Sequence, residues 1–153
     1  METLERKQSM NVLLVGNNPI ELSGILGKLM ESNTSGVIAE IAFDFRGLIQ
    51  RLINFTPNYI VIDDNIGREE LGLALAELSH NKKTKDIPIT VLKNSNYSES
   101  DTTGGALDYL LKQSLTPESF LVSLNNSLKF RRTQLYLYKA YKNRKQHLQT
   151  LLH

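Results

Sequence analysis

Five short apolar runs set the terms on which this chain can fold. VLLV at 12–15, VIAEIA at 37–42, YIVI at 59–62, ITVL at 89–92 and LDYLL at 107–111 recur with polar or turn-like residues between them. Their near-continuous apolarity suits strands buried on both faces, as in a parallel sheet. Between them the period changes. Leu22, Ile25, Leu26, Leu29 and Met30 recur at helical spacing after the first run, Leu48, Ile49, Leu52 and Ile53 after the second, and Leu71, Ala74, Leu75 and Leu78 after the third. Strand alternates with helix, which predicts an α/β fold built on a doubly wound, five-stranded parallel sheet.

The alternation breaks after the fourth run. KNSNYSESDTTGG at 93–105 is rich in Ser, Asn, Thr and Gly and has no helical stripe, so the fourth helix is expected to be shortened or lost. A long C-terminal helix is expected instead. Thr116 can cap it, Pro117 can occupy its first turn, Glu118 complements its dipole, and no Pro or Gly interrupts the chain from there to about 152. At 1.5 Å per residue this makes a rod of roughly 54 Å, too long to lie wholly on one small sheet. Its second half places Phe130, Gln134, Leu137, Tyr141, Arg144, Leu148 and Leu151 at spacings of four and three. That heptad-like seam points to a homodimer through Leu137, Tyr141, Leu148 and Leu151, or to a rigid connector to an output domain.

A length of 153 residues fits one compact domain. The polar first ten residues are expected to form a disordered tail, residues 11–130 the domain, and residues 131–153 a helical extension. No apolar run has the length a bilayer requires, and the absence of cysteine excludes disulfides, thiolate catalysis and cysteine-held metals. A cytoplasmic setting is the natural expectation. The net charge of +2 hides an uneven distribution: the balance is -4 up to Lys112 and +6 beyond it, where Glu118 is the single acid.

In open α/β sheets, chemistry collects at the carboxyl ends of the strands. There the segments VLLVGNNP, PNYIVIDDNI, DIPITVL and GALDYLLK, taken together, resemble the receiver domain of bacterial two-component response regulators over about residues 11–130. The resemblance implies a CheY-like, flavodoxin-like strand order of 2-1-3-4-5. It implies that Asp63 stands at the phosphoacceptor position, Lys112 at the family's lysine, Tyr109 at the aromatic switch position, and Asn65 where a backbone carbonyl helps hold a metal.

Four departures change what the resemblance implies. Gly16 and Asn17 stand where the family carries two metal-binding acids, so Mg²⁺ binding is expected to be weak at best and no other cofactor is implied. Lys93 replaces the hydroxyl residue that contacts the phosphoryl group, and Gln113 replaces the proline after the lysine. Lys93 and Lys112 are both expected beside Asp63, supplying positive charge that a metal would otherwise bring. The alternative leaves Lys93 in solvent and Lys112 alone on the acid. Strand alternation turns Asp64 to the opposite face or to solvent; the alternative is a local twist that lets it substitute for a missing acid.

These residues predict an atypical pseudo-receiver, impaired in or independent of phosphorylation, that signals through contacts with a histidine kinase or an output domain. The alternative is a working phosphoacceptor that takes its phosphoryl group from a histidine kinase onto Asp63. A third reading, from another class, is nucleic-acid binding by the basic helix; it is disfavoured because the charges spread around the helix without a helix-turn-helix pattern. Independent enzymatic activity is not expected. The chain has no GxGxxG, no phosphate-cradling glycine–lysine loop and no HExxH, and His80, His147 and His153 lack ligand spacing.

Overall fold

The computed structural model describes residues 10–32, 36–94 and 108–152. Five parallel strands form one sheet in the order β2-β1-β3-β4-β5. They are β1 (Met10–Val15), β2 (Val37–Ala42), β3 (Tyr59–Asp63), β4 (Ile89–Lys93) and β5 (Asp108–Leu111). Each predicted apolar run lies within or across one strand. The helices are α1 (Pro19–Ser32), α2 (Phe45–Asn54), α3 (Arg68–His80) and α4 (Pro117–Leu152), with single 3-10 turns after β3 and β5. Met10 belongs to β1 and pairs with Val37, so the ordered sheet begins one residue earlier than the tail predicted for residues 1–10. The rest of that predicted tail, and the shortened or lost fourth helix, lie outside the described residues.

Two apolar clusters explain why the strands are hydrophobic on both faces. One gathers Leu13, Val15, Ile60, Ile62 and Val91 under Leu48 and Leu52 of α2 and Ala74, Leu75 and Leu78 of α3. The other gathers Val12, Leu14, Tyr59, Val61 and Leu92 under Leu22, Ile25 and Leu29 of α1 and Phe120 and Leu124 of α4. Successive strand residues point to opposite clusters, as the pleat requires. Tyr59 would bury a hydroxyl in the second cluster. It hydrogen-bonds Thr90 Oγ1, which lies 3.3 Å from Ser123 Oγ of α4, so the polar groups satisfy one another across β3, β4 and the helix.

Local chemistry sets where the helices start. Asn18 Oδ1 accepts from the backbone N–H groups of Ile20 and Glu21 at 3.0 and 3.3 Å, and Pro19 fills the first turn of α1. Asp44 Oδ1 accepts from Gly47 N at 2.7 Å ahead of α2. Thr116 and Ser119 cap α4 reciprocally: Thr116 Oγ1 accepts from Ser119 N at 3.0 Å and Ser119 Oγ from Thr116 N at 2.9 Å. Gly67 turns the chain into α3 at a φ of 103°, a conformation that costs glycine little.

The long C-terminal helix is a single rod, as its unbroken sequence predicts, and its buried side chains, among those described, lie in its first third. Phe120, Ser123, Leu124 and Ser127 are buried against α1 and the sheet, whereas the described side chains from Lys129 onward are exposed. Among the described residues no helix is long and apolar enough to cross a membrane. Phe120 is the largest side chain anchoring the rod, so Phe120→Ala is expected to cost about 3–5 kcal/mol in urea unfolding. A loss under about 1 kcal/mol would show that the helix is not held there.

Candidate functional site at the carboxyl end of the sheet

Asp63 ends β3 on the face covered by α1 and α4, and its side chain is only 1% exposed. Burial of a carboxylate demands compensation for every oxygen. Asp63 Oδ1 accepts from Asn65 N at 3.0 Å and from Asn94 Nδ2 at 3.1 Å. Its Oδ2 meets Lys112 Nζ at 2.5 Å, an ion pair that is its one polar contact among the described residues. Lys112 sits in the 3-10 turn after β5, and its side chain reaches past the end of β4 to the end of β3.

Lys112 does not serve Asp63 alone. Its ammonium also donates to Glu21 Oε1 at 2.9 Å, from the first turn of α1. Asn65 Nδ2 donates to the same Glu21 oxygen at 3.2 Å. Burial lowers the affinity of Lys112 for its proton, but hydrogen bonds to Asp63 and Glu21 and the negative charge of both outweigh it. The net result holds Lys112 above the ordinary lysine value of 10.5.

The two positions where the resemblance implies metal-binding acids are engaged otherwise. A Cβ on Gly16 would lie 2.9 Å from Leu22 Cδ2 and 3.1 Å from Asp63 Cβ. Leu22 is itself packed in the core, so close approach of α1 to β3 demands glycine there and leaves no room for a longer side chain. Asn17 N accepts no metal role either: it donates to Asn65 Oδ1 at 3.1 Å, while Asn17 Nδ2 donates to the Asn65 carbonyl at 2.6 Å. The carbonyl implied as a metal ligand thus faces an amide donor, and the Asp63 carboxylate faces an ammonium. This donor set does not fit Mg²⁺, which wants charged oxygens free to turn toward it.

Lys93 lies elsewhere than beside Asp63. Its Nζ stands 4.9 Å from the centroid of the Tyr109 ring, a cation–π contact. Strand parity is the reason. Asp63 is in register with Leu92, on the α1/α4 face, whereas Lys93 follows Val91 on the α2/α3 face, and Tyr109 is in register with Val91. The expected pair of lysines around Asp63 is therefore a single lysine, and the second cation packs on the aromatic residue instead. Asp64 departs from expectation too. The chain turns into a 3-10 helix at Asp64, breaking the strand alternation, and Asn94 Nδ2 bridges the carboxylates of Asp63 and Asp64. Asn94 N also donates to Asp64 Oδ1 at 3.2 Å.

Glu21 and Asn94 were the site residues that sequence reasoning missed. Glu21 follows a helix start at a strand end, and Asn94 is the residue after Lys93, so position alone could have nominated both. The seam residues Leu137, Tyr141, Leu148 and Leu151 are far along α4 and take no part in this cluster.

Removing Lys112 leaves a buried carboxylate without its counter-charge, so Lys112→Met is expected to cost about 3 kcal/mol. Because the pKa of Lys112 is raised on folding, its contribution is complete below the unfolded value and disappears as pH rises through the folded one, above 10.5. The urea midpoint should fall on that alkaline limb in the parent chain and stay flatter in Lys112→Met; parallel profiles would remove the argument. Gly16→Ala should cost about 1–3 kcal/mol by overpacking Leu22 and Asp63, and an unchanged midpoint would show slack in that contact.

No family model and no curated protein matches this sequence. Solved structures do match. The chemotaxis response regulator CheY4 of Vibrio cholerae is 20% identical, with a TM-score of 0.67 over 78% of this chain and 99% of that one. The receiver domain of a sensor histidine kinase from Pseudomonas aeruginosa, solved with a magnesium ion in its active-site cleft, is 18% identical with a TM-score of 0.67 over 80% and 99%. A yeast Spc42 trimeric coiled-coil segment fused to another protein is 17% identical with a TM-score of 0.64 over 94% of each chain. Together with the strand order and the long final helix, these likenesses establish that the chain has the CheY-like receiver fold.

Proposed function

We propose that this chain is a pseudo-receiver of a two-component signalling system, working through protein contacts and without phosphoryl transfer to Asp63. The observation that carries this reading is the state of Asp63: 1% exposed, with one oxygen held by two N–H donors and the other by Lys112 at 2.5 Å. A nucleophile must present a free oxygen to the incoming phosphorus, and phosphoryl transfer further depends on cations that neutralise the transferred group. Here the available cation is already spent on the carboxylate. Gly16 and Asn17 add no charge with which to recruit another.

The Lys93–Tyr109 contact supports the same reading. In the receiver resemblance, Tyr109 is the residue whose rotamer follows activation; a lysine stacked on its ring favours one position without a phosphoryl signal. The output is carried by α4. Its projecting half offers a face to a partner, either an output domain or a second copy of this chain, and its extended likeness to a coiled-coil fusion supports self-association. A histidine kinase is the upstream partner that the fold neighbours suggest.

The decisive experiment is incubation with Mg²⁺ and acetyl phosphate, read by intact mass, alongside beryllium fluoride titration read by amide chemical shifts. No mass gain and no shifts around Asp63 are expected. Stoichiometric modification that vanishes in Asp63→Asn would establish the alternative, a working phosphoacceptor.

A further inference from the structure

Resting on the reading that α4 carries the output, we infer that its projecting half docks an acidic amphipathic helix of a partner protein. The partner helix lies along the rod's apolar strip and sets one bulky apolar side chain into a recess between the rod and the body. Of the two occupants that reading allows, charge selects the output partner over a second copy.

The surface has two parts. Phe130, Leu137, Tyr141, Leu148 and Leu151 are 50–67% exposed. At about 100° per residue they fall in a strip about 80° wide, roughly a quarter turn away from the line of Phe120, Leu124 and Ser127 that faces the body. Where the rod leaves the body, the strip borders a cavity of about 610 Å³ lined by Gln134, Leu135, Leu137 and Tyr138 of α4 and by Lys85 and Asp86 of the turn before β4. A recess of this size admits an aromatic side chain, and interfaces set their anchor residues in such pockets.

Shape narrows the class of occupant. The strip runs into the angle between rod and body. A helix about 10 Å across can follow it there, whereas the body holds a bilayer surface off its near end. A nucleic-acid duplex would use the cations and leave the apolar strip facing phosphates.

Charge selects the sign. From Ser119 to the end the chain has seven cations and no acid. Ion pairs between successive turns, which support isolated helices, are therefore unavailable within the rod, and Lys139, Lys142 and Lys145 repeat like charge at i, i+3. A second copy would set seven more cations against these. A helix with Glu or Asp beside its apolar face brings both the packing and the opposite charge that a rod of this length lacks on its own.

The test titrates two labelled synthetic peptides with the full chain and reads fluorescence anisotropy. Both peptides form amphipathic helices with the same leucine seam; one carries Glu at every flanking position and the other Lys. The Glu peptide should bind at least about tenfold more tightly than the Lys peptide. Its binding should weaken as salt rises from about 0.1 M to about 1 M, where the Debye length falls from about 10 Å to about 3 Å. Leu137→Asp with Leu148→Asp should abolish binding, and Tyr138→Ala should weaken it. A bimane label on Asp86→Cys, in a chain with no other cysteine, should change its emission when the Glu peptide binds. The same label on Ile20→Cys, at the opposite end of the sheet, should not.

Failure of the Glu peptide to bind, equal binding of both peptides, or binding that survives the paired Asp substitutions would overturn the proposal. A silent label at position 86, or full affinity in Tyr138→Ala, would overturn the anchor in the recess. Tighter binding of duplex DNA or of vesicles of anionic lipid, or a self-associated chain that takes up no peptide, would overturn the acidic helix in favour of those occupants. The pseudo-receiver reading falls separately, on a mass gain at Asp63 with acetyl phosphate. The substituted positions are exposed, and unchanged circular dichroism confirms the fold.

Discussion

The contact between Asp63 and Lys112 governs the carboxyl end of this sheet. A carboxylate buried to this degree can persist only with a counter-charge and with its remaining lone pairs occupied. Lys112 supplies the charge from the turn after β5, Asn65 and Asn94 supply donors from the turns after β3 and β4, and Glu21 holds Lys112 from the start of α1. Four segments distant in sequence thereby close around one oxygen pair. The same closure explains Gly16: α1 can come near enough to bring Glu21 to Lys112 because β1 is followed by a residue without a side chain. What looks in the sequence like the loss of two metal-binding acids is, in three dimensions, a tightly packed cluster in which Lys112 pairs with both Asp63 and Glu21.

Much of the fold was legible because it rests on local periodicities. The strand runs, the helical stripes and the unbroken stretch after Pro117 each follow from patterns only a few residues long, and all three correspond to observed elements. The strand order was not in the periodicities; it came from the resemblance of the strand-end motifs. The site was legible in part. Asp63 and Lys112 were nominated by where apolar runs stop, and the structure brings them together.

Lys93 departs from expectation because strand parity has to be counted in register with the neighbouring strand. Position 93 looked equivalent to a residue facing the acid, but the β3–β4 register assigns Leu92 to the Asp63 face and sends Lys93 to Tyr109. Asp64 escaped the alternation because the strand ends one residue sooner than a simple continuation assumes and the chain tightens into a 3-10 turn. Glu21 and Asn94 stand at strand-end positions that the sequence offers, but their partners depend on how closely α1 and the β4 turn approach β3, which no window of sequence encodes.

The buried hydroxyl chain from Tyr59 through Thr90 to Ser123 has a mechanical consequence. Ser123 lies in the docked segment of a rod whose remaining 25 residues or so reach about 38 Å beyond it. Tyr59 begins the strand that ends at Asp63, so the fulcrum of that lever is tied to the acid's own strand through bonds that cannot be exchanged with water. A tilt of about 5° at the fulcrum swings the far tip by about 3 Å, on the order of one side-chain contact. The body thus fixes the aim of the rod as well as its attachment, and whatever grips the tip reports on the packing beneath Ser123.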